Sequence, residues 1–336
     1  MLTRTLGPKG ATVSVLGLGC MGMSGMYGPA DEAEGIATIH AALDAGVTLL
    51  DTGDFYGMGH NELLLREALR GGRRDRVFIQ VKFGAQRAPD GAWLGFDARP
   101  QAVKTALAYT LRRLGTDHVD LYQPARLDPA VPIEDTVGAI ADCVRAGWVR
   151  YVGLSEMGAE TIRRAHRVHP ITALQLEYSL MSRSIEREVL PAARLLGIGV
   201  TAYGVLSRGL LGATPAKPVG GGDFRAHAPR WQAENLKKNL ALADALDAVA
   251  REQGATRAQA AIAWVISRGD DIVPLVGART RAQLRESLGA LDLRLAPEDL
   301  DRIERAVPAE AVAGDRYGGP QMAMLDSERP ARPHTP

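Results

Sequence analysis

Short runs of apolar residues alternate with amphipathic stretches along almost the whole chain. The runs cover residues 13–18, 47–50, 77–82, 119–123, 148–154, 172–177, 199–203 and 271–276. They lack polar alternation, which is typical of strands that are buried on both faces of a sheet. Helical spacing of apolar residues follows each run, at about 32–45, 61–70, 98–114, 134–146, 159–168, 186–196, 235–253, 256–268 and 280–290. Eight strands that are each followed by a helix predict a (β/α)8 TIM barrel, a single-domain α/β fold.

Three segments lie outside this alternation. Residues 3–13 contain a Gly-Pro-Lys-Gly turn between short β-prone pieces, which predicts an N-terminal β-hairpin. Residues 212–234 form a long loop, and a glycine- and proline-rich tail follows a predicted helix at 297–306. We therefore expect a barrel domain over residues 1–310 and a C-terminal loop over 311–336. The start of that loop is expected to cover the barrel mouth and its end to be disordered.

The charge balance and the cysteine count exclude several classes of protein. Lysine and arginine total 40 against 39 aspartate and glutamate residues, so no overall charge favours nucleic acid or an anionic membrane as a partner. Cys20 and Cys143 belong to no CxxC motif, which argues against a disulfide framework and a metal site. The N-terminus lacks an apolar signal core, and no run of about 18 apolar residues is present. We expect a cytoplasmic protein, and the sequence leaves its oligomeric state open.

Charged side chains stand at the ends of the second and third predicted strands. Asp51 follows the run at 47–50, Lys82 ends the next run and Tyr56 lies in the loop between them. Active sites of such barrels lie at the carboxyl ends of the strands, so these side chains are expected to meet there. A nearby ammonium group lowers the pKa of a phenol from about 10, and a carboxylate orients the ammonium group. Tyr56 is therefore a candidate proton donor to a carbonyl group, and a buried salt bridge beside an ordinary loop tyrosine is the alternative.

Six segments of the chain resemble the aldo-keto reductases in order and in spacing. They are DTGDFYG at 51–57, VKFG at 81–84, DLYQ at 120–123, GLSE at 153–156, LQLEYSL at 174–180 and AYGVLSRGLL at 202–211. The resemblance spans residues 3–306 and implies a reductase that transfers a hydride from NADPH to an aldehyde or a reactive ketone. It also implies that Asp51, Lys82 and Tyr56 are the catalytic carboxylate, the lysine and the proton-donating tyrosine.

The chain departs from this pattern at the end of the fourth predicted strand. Many relatives carry a histidine there, whereas here Ala125 precedes Arg126. Alanine cannot donate a hydrogen bond, so we expect Tyr56 to polarise the substrate alone, or with a water molecule or Arg126. Losing one such donor typically costs about 10²-fold or more in rate. His60 is the best histidine to substitute, and a polar residue at the start of a helix is its alternative interpretation.

The resemblance also places a nicotinamide cofactor at the later strand ends. It implies that Ser155 and Gln175 bind the nicotinamide amide and that the Tyr203 ring stacks on the nicotinamide. Glu156 replaces a common asparagine, and when ionised it could only accept a hydrogen bond from the amide. Further cofactor contacts are implied for Gly22, Met23, Leu206, Arg208, Gly209, Gly277, Arg279, Thr280, Gln283 and Glu286.

The start of the helix after the last predicted strand favours NADP(H) over NAD(H). Free backbone N–H groups near Thr280 face an anion there, and Arg279 adds a positive charge that suits a phosphate. The resemblance implies that the adenosine 2′-phosphate binds at this place, and no carboxylate stands where it would bind a ribose hydroxyl. A plain surface role is the alternative for Arg279.

These features leave three functions open. An NADPH-dependent reductase of small carbonyl compounds is favoured. A cofactor-binding regulatory or redox-sensing protein is the main alternative, because the histidine is missing. A barrel isomerase or lyase that acts on a phosphorylated substrate is the third, and the residues assigned to the nicotinamide argue against it. The candidate apolar pocket residues are Met21, Met23, Phe55, Phe83 and Trp93, which suits a medium-sized or aromatic substrate.

Overall fold

The computed structural model describes residues 1–7, 9–214 and 223–329. Its centre is a closed barrel of eight parallel strands, which confirms the predicted TIM barrel. In chain order the strands are β1 (Thr3–Thr5), β2 (Thr12–Ser14), β3 (Gly17–Gly19), β4 (Leu49–Gly53), β5 (Phe78–Phe83), β6 (Ala85–Arg87), β7 (Trp93–Phe96), β8 (Val119–Pro124), β9 (Val149–Ser155), β10 (Ile171–Glu177), β11 (Gly199–Tyr203) and β12 (Ile272–Gly277). The barrel runs β3, β4, β5, β8, β9, β10, β11 and β12, and β12 closes it on β3.

The helices follow the barrel strands in the predicted alternation, with two between β11 and β12. They are α1 (Glu32–Asp44), α2 (His60–Ala68), α3 (Pro100–Leu114), α4 (Ile133–Arg145), α5 (Ala159–Val168), α6 (Val189–Leu195), α7 (Ala233–Glu252), α8 (Arg257–Ser267), α9 (Arg281–Leu288), α10 (Pro297–Ala306) and α11 (Gly319–Met322). Local signals set their starts: Asp31 caps α1, and Thr256 with Gln259 forms a capping box at α8. Within the described ranges, no helix has the length and apolar character needed to cross a bilayer.

The predicted N-terminal hairpin is present and closes the amino-terminal end of the barrel. β1 pairs with β2 in antiparallel orientation, and Leu6 and Val13 of the hairpin are buried against Leu49 of the barrel interior. The first barrel strand, however, begins at Gly17 and not at residue 13. The boundary was wrong because residues 13–18 form one apolar run, although the start of that run pairs with β1 instead of entering the barrel.

A second hairpin, formed by β6 and β7, was missed by the sequence analysis. Its strands are too short to show a clear period of two. β6 follows β5 directly, so the hairpin stands beside the barrel mouth. It places the Trp93 ring 6.3 Å from the Phe55 ring in an edge-to-face arrangement. An aromatic wall therefore flanks the loop that follows β4.

Alternation along β5 decides which side chains enter the barrel. Lys82 faces inward, so the next residue, Phe83, faces the helix layer, where its ring stacks on Tyr122 with centroids 4.3 Å apart. The expectation that Phe83 lines a substrate pocket is therefore wrong. Met23 is also buried in the apolar core. Phe55 and Trp93 remain as aromatic candidates at the mouth.

Candidate active site

A buried ion pair joins β4 and β5 at the mouth of the barrel. Lys82 Nζ donates hydrogen bonds to both carboxylate oxygens of Asp51, at 2.7 and 2.8 Å. The side-chain amides of Gln80 and Gln175 also donate to Asp51 Oδ1, at 3.1 and 2.6 Å. Asp51 lies inside β4 and not after it, because the strand continues to Gly53. The pair predicted from the sequence is thus brought together and hydrogen-bonded, as a buried ion pair requires.

Tyr56 reaches the same place from the loop after β4. Its ring centroid lies 5.1 Å from Lys82 Nζ, and only 5% of the residue is exposed. Burial, reinforced by the negative charge of Asp51, raises the pKa of Tyr56 well above its ordinary value. The expectation of a lowered pKa is therefore wrong, because burial outweighs any effect of the nearby ammonium group. The phenol keeps its proton at neutral pH, which suits a proton donor.

Asn61 fixes the loop that carries Tyr56, and the sequence analysis missed this role. Its amide nitrogen donates to Ser24 Oγ at 2.7 Å and to the Cys20 carbonyl at 2.9 Å. Its amide oxygen accepts a hydrogen bond from Thr52 Oγ1 at 2.7 Å. The signal in the sequence was a polar residue on the inner side of a predicted helix. Asn61 therefore ties the loop after β4 to the loop after β3.

The His60 side chain contacts polar groups at the start of α2. Its Nδ1 lies 2.9 Å from Ser24 Oγ, and its Nε2 lies 3.8 Å from a carboxylate oxygen of Glu32. These contacts agree with the alternative interpretation of a polar residue that begins a helix.

Backbone strain is concentrated at the mouth. In the described part of the chain, the residues other than glycine with positive φ are Met58, Glu156, Ser207 and Arg208, at 51°, 56°, 48° and 57°. Each of them follows a barrel strand at its carboxyl end. Such conformations cost about 1 kcal/mol or more each and cluster at functional sites. The strained backbone conformations thus lie at the same end of the barrel as the ion pair.

Ala125 follows β8 and brings no polar group to the mouth. It is buried, and its backbone N–H donates to the Phe83 carbonyl at 2.8 Å. The neighbouring Arg126 donates to the Ala125 carbonyl at 2.6 Å and to the Tyr317 hydroxyl at 3.4 Å. Its guanidinium carbon lies 5.9 Å from the Tyr317 ring centroid. Arg126 is therefore directed to the C-terminal segment.

Ser155, Gln175 and Tyr203 stand together on three adjacent strands, as their predicted role requires. Ser155 Oγ is buried and has no hydrogen-bond partner among the described residues. The amide nitrogen of Gln175 is used by Asp51, and the Tyr203 hydroxyl lies 3.0 Å from the Tyr317 hydroxyl. A buried unpartnered hydroxyl fits a site that receives a polar group such as a carboxamide.

Glu156 is occupied by the C-terminal segment. Its Oε1 accepts hydrogen bonds from the Glu177 backbone N–H at 2.8 Å and from Arg316 at 2.9 Å. Its Oε2 accepts from Arg316 at 2.6 Å and from Ser327 at 2.5 Å. Burial alone would raise the pKa of Glu156, but the Arg316 charge and these hydrogen bonds lower it to about 2. Glu156 therefore has a structural partner, and its predicted contact with the nicotinamide stays a prediction.

Arg316 and Tyr317 bring the C-terminal segment into the mouth, as the tail was expected to do. Arg316 is buried and also pairs with Glu328 at 2.8 Å and with Glu177 at 3.4 Å. Arg208 pairs with Glu177 at 2.8 Å and donates to the Arg316 carbonyl at 2.7 Å. Its guanidinium carbon stands 4.4 Å from the Tyr317 ring centroid. The end of the expected disordered tail, residues 330–336, lies outside the described residues.

The predicted phosphate side lies beside the amino-terminal end of α9. Arg279 donates to the carbonyls of Tyr27 at 3.1 Å and Pro29 at 3.3 Å. Thr280 caps α9 by accepting from the Gln283 backbone N–H, and the Gln283 side chain accepts from the Arg279 backbone N–H at 2.8 Å. These contacts bring the three residues together at one helix end, where backbone N–H groups favour an anion.

The other predicted cofactor residues fall into two groups. Leu206 and Gly209 belong to one tight turn, closed by a 2.8 Å hydrogen bond between their backbones, while Gly277 is exposed at the end of β12. Gly22 lies against Arg279, because an added Cβ would stand 3.1 Å from its side chain. Glu286 instead accepts a hydrogen bond from the Thr256 hydroxyl, and the Met23 side chain is in the apolar core, so direct contact by these two side chains stays a prediction.

The long loop after β11 meets the loop after β3 over this side of the mouth. Asp223 forms an isolated β-bridge with Tyr27, and the buried Arg225 pairs with Asp223 at 2.5 Å. The Arg225 guanidinium carbon lies 5.5 Å from the Tyr27 ring centroid. The preceding residues 215–222, part of the long loop predicted at 212–234, lie outside the described residues.

Comparisons with known proteins show the family to which the chain belongs. A sequence model described as the aldo/keto reductase family matches residues 15–308. The chain is 43% identical over 317 residues to the probable aldo-keto reductase 1 of Glycine max, which covers 93% of this chain and 90% of that protein.

Solved structures show the same likeness. Glycerol dehydrogenase AKR11B4 from Gluconobacter oxydans has a TM-score of 0.82, with 27% identity and 98% of both chains covered. The aldo-keto reductase AKR11C1 from Bacillus halodurans has a TM-score of 0.75, with 27% identity and coverage of 92% of this chain and 97% of its own. The thermostable aldo-keto reductase Tm1743 has a TM-score of 0.73 at 28% identity, with 91% and 100% covered. The chain therefore belongs to the aldo/keto reductase family of oxidoreductases.

Proposed function

We propose that this protein is an NADPH-dependent reductase that converts aldehydes or reactive ketones to alcohols, with Tyr56 as the proton donor. One observation carries the proposal. Lys82 Nζ is bonded to both oxygens of Asp51 and lies 5.1 Å from the ring of Tyr56 at the barrel mouth. The family and the glycerol dehydrogenase among its structural relatives support chemistry between alcohols and carbonyl compounds.

Each residue at the mouth is proposed to have a separate role in carbonyl reduction. The bound cofactor would supply the hydride to the carbonyl carbon. Tyr56 then gives its phenolic proton to the carbonyl oxygen, so that hydride and proton together form the alcohol. Lys82 stabilises the phenolate that remains, and Asp51 holds the ammonium group in place. Because Ala125 donates nothing, we expect slow turnover or a preference for reactive carbonyl groups.

The cofactor is proposed to lie across the later strand ends. Ser155, Gln175 and Tyr203 would hold the nicotinamide, and the unpartnered Ser155 hydroxyl supports this. Its pyrophosphate would follow the turn at Leu206 to Gly209, and its 2′-phosphate would meet Arg279 and Thr280. We assign Gly22, Met23, Glu156, Arg208, Gly277, Gln283 and Glu286 to the surroundings of the cofactor. The phenyl and indole rings of Phe55 and Trp93 suit a medium-sized or aromatic substrate.

We also propose that residues 1–310 form one barrel domain in a cytoplasmic protein and that the segment from 311 covers the substrate pocket.

A regulatory or redox-sensing protein that binds the cofactor is the second candidate function. The feature in its favour is Ala125, since the resemblance implies a histidine at this position. Both candidates require cofactor binding, and only the first requires carbonyl reduction as the main activity of the protein.

Replacing the proton donor tests the proposed function. We expect wild-type protein to oxidise NADPH with 4-nitrobenzaldehyde, and Tyr56→Phe to lose at least about 10²-fold in kcat, because the phenylalanine ring has no proton to give. Loss of NADPH absorbance measures the rate. Tyr109→Phe is the matched control, since Tyr109 is 61% exposed on α3. Cofactor binding without turnover across a panel of aldehydes would favour the regulatory protein instead.

Removing Arg279 tests the choice between NADP(H) and NAD(H). We expect Arg279→Ala to raise the Kd for NADPH about tenfold, because a charge-assisted contact with the 2′-phosphate is lost, and to leave the Kd for NADH within about twofold. Quenching of tryptophan fluorescence measures both constants. Arg112→Ala, on the exposed side of α3, is the control. Equal weakening of both cofactors would contradict a role for Arg279 at the 2′-phosphate.

Removing Arg316 tests the attachment of the C-terminal segment. Arg316→Met leaves the carboxylates of Glu156 and Glu177 buried without this cation, so we expect about 3 kcal/mol or more of lost stability at pH 7. Because its pKa in the folded protein is about 2, against 4.5 ordinarily, Glu156 stabilises the wild type above pH 4.5 and loses this effect as the pH falls through about 2.

Thermal unfolding at pH 7 and limited proteolysis of the tail measure the effect of this substitution. Arg329→Met is the matched control, because the Arg329 side chain is 51% exposed and lies 3.7 Å from its partner Asp326. An unchanged Tm and an uncut tail in Arg316→Met would show that the segment is held by other contacts.

A further inference from the structure

Gln123 carries a buried amide group without any hydrogen-bond partner. The residue lies on β8 and is fully buried, and neither its Nε2 nor its Oε1 has a partner in the part of the chain that the structure describes. Leaving one buried polar atom unpaired costs about 1–3 kcal/mol. A buried amide group without a partner in a folded protein is explained either by a function or by a bound water molecule.

The position of Gln123 relates it to the proposed chemistry. It is paired in register with Lys82 of β5 on one side. On the other side it lies over Gly153 of β9, where an added Cβ would stand 2.9 Å from Gln123 Oε1. Ser155, whose hydroxyl is also unpartnered, follows Gly153 by two residues on the same face of β9. The amide therefore lies between the Asp51–Lys82 pair and the site assigned to the nicotinamide.

Gln123 also lies next to the place where the family's histidine is missing. Side chains alternate along a strand, so residues 123 and 125 face the barrel interior together, with their Cα atoms about 6.6 Å apart. Ala125 brings only a methyl group to this place. Arg126, the other cation at this strand end, donates to the Ala125 carbonyl and to Tyr317 instead. Gln123 is thus the nearest polar side chain on β8 that has hydrogen-bonding capacity to spare.

We propose that Gln123 takes over the role of the missing histidine through one water molecule held beside Ala125. This inference rests on the proposed reductase function and deepens it. The amide N–H donates to the water oxygen, and the water then donates a hydrogen bond to the substrate carbonyl oxygen. A water that accepts a hydrogen bond is a stronger donor, which adds to the polarisation that Tyr56 provides. Gln123 is a positioning residue in this scheme, since it touches the water and not the substrate.

Replacing Gln123 by leucine separates this role from a structural one. We expect Gln123→Leu to lower kcat with 4-nitrobenzaldehyde about tenfold or more, while the Kd for NADPH stays within about twofold. The Tm should hold or rise, because the variant removes a buried amide that has no partner. Gln101→Leu, on the exposed side of α3, is the control. A lowered Tm with unchanged kcat would show a structural role, and a weakened Kd would assign Gln123 to the nicotinamide, so either result overturns the inference.

Restoring the histidine provides the second arm of the experiment. Ala125→His in the Gln123→Leu background should recover most of the lost kcat, because the imidazole supplies the donor directly. The same substitution in the wild type should change kcat much less. Equal effects in both backgrounds would contradict the inference. If wild-type turnover depends on Tyr56 but Gln123→Leu does not change it, this inference alone is contradicted. If the wild type binds the cofactor but shows no turnover, the proposed function is contradicted.

Discussion

The Asp51–Lys82 ion pair is the interaction on which the arrangement of the mouth depends. Burying two charges costs several kcal/mol per ion, so the pair persists only where further hydrogen bonds satisfy the carboxylate. The barrel provides these through the amides of Gln80, on the same strand as Lys82, and of Gln175 on β10. In the proposed reaction, Lys82 stabilises the Tyr56 phenolate only after the phenol has given up its proton. Burial, together with the negative charge of Asp51, raises the pKa of Tyr56 although Lys82 Nζ lies 5.1 Å from the ring centroid.

A second charge cluster ties the C-terminal segment to the side of the mouth where the cofactor is proposed to bind. Glu156 and Glu177 end or follow neighbouring strands, and Arg316 reaches both from the tail. Arg208, in the turn proposed to follow the pyrophosphate, is bonded to Glu177 and to the Arg316 carbonyl. The proposed cover of the substrate pocket and the proposed cofactor cleft therefore share side chains. A change of charge at either place is therefore expected to alter the ion pairs at the other.

Local pattern was enough to predict the barrel and the three proposed catalytic side chains. Buried strands have a distinctive composition, and the rule that barrel active sites lie at carboxyl strand ends selects Asp51 and Lys82. What the sequence could not show depends on contacts between distant parts of the chain. Glu156 looked like an unexplained departure because its partner Arg316 lies in the tail, and the direction of the Tyr56 pKa shift depends on burial. The lack of hydrogen-bond partners for the Gln123 amide can be recognised only from the positions of its neighbours in the folded chain.

The buried pair is proposed to serve the chemistry of Tyr56 and not merely to hold the barrel together. The most direct test is the double variant Asp51→Asn with Lys82→Met, which removes both charges at once and leaves neither unpaired. We predict that the variant folds with nearly the wild-type Tm and still binds NADPH, but loses at least about 10²-fold of its NADPH oxidation rate with 4-nitrobenzaldehyde. A folded variant that keeps the wild-type rate would contradict the account.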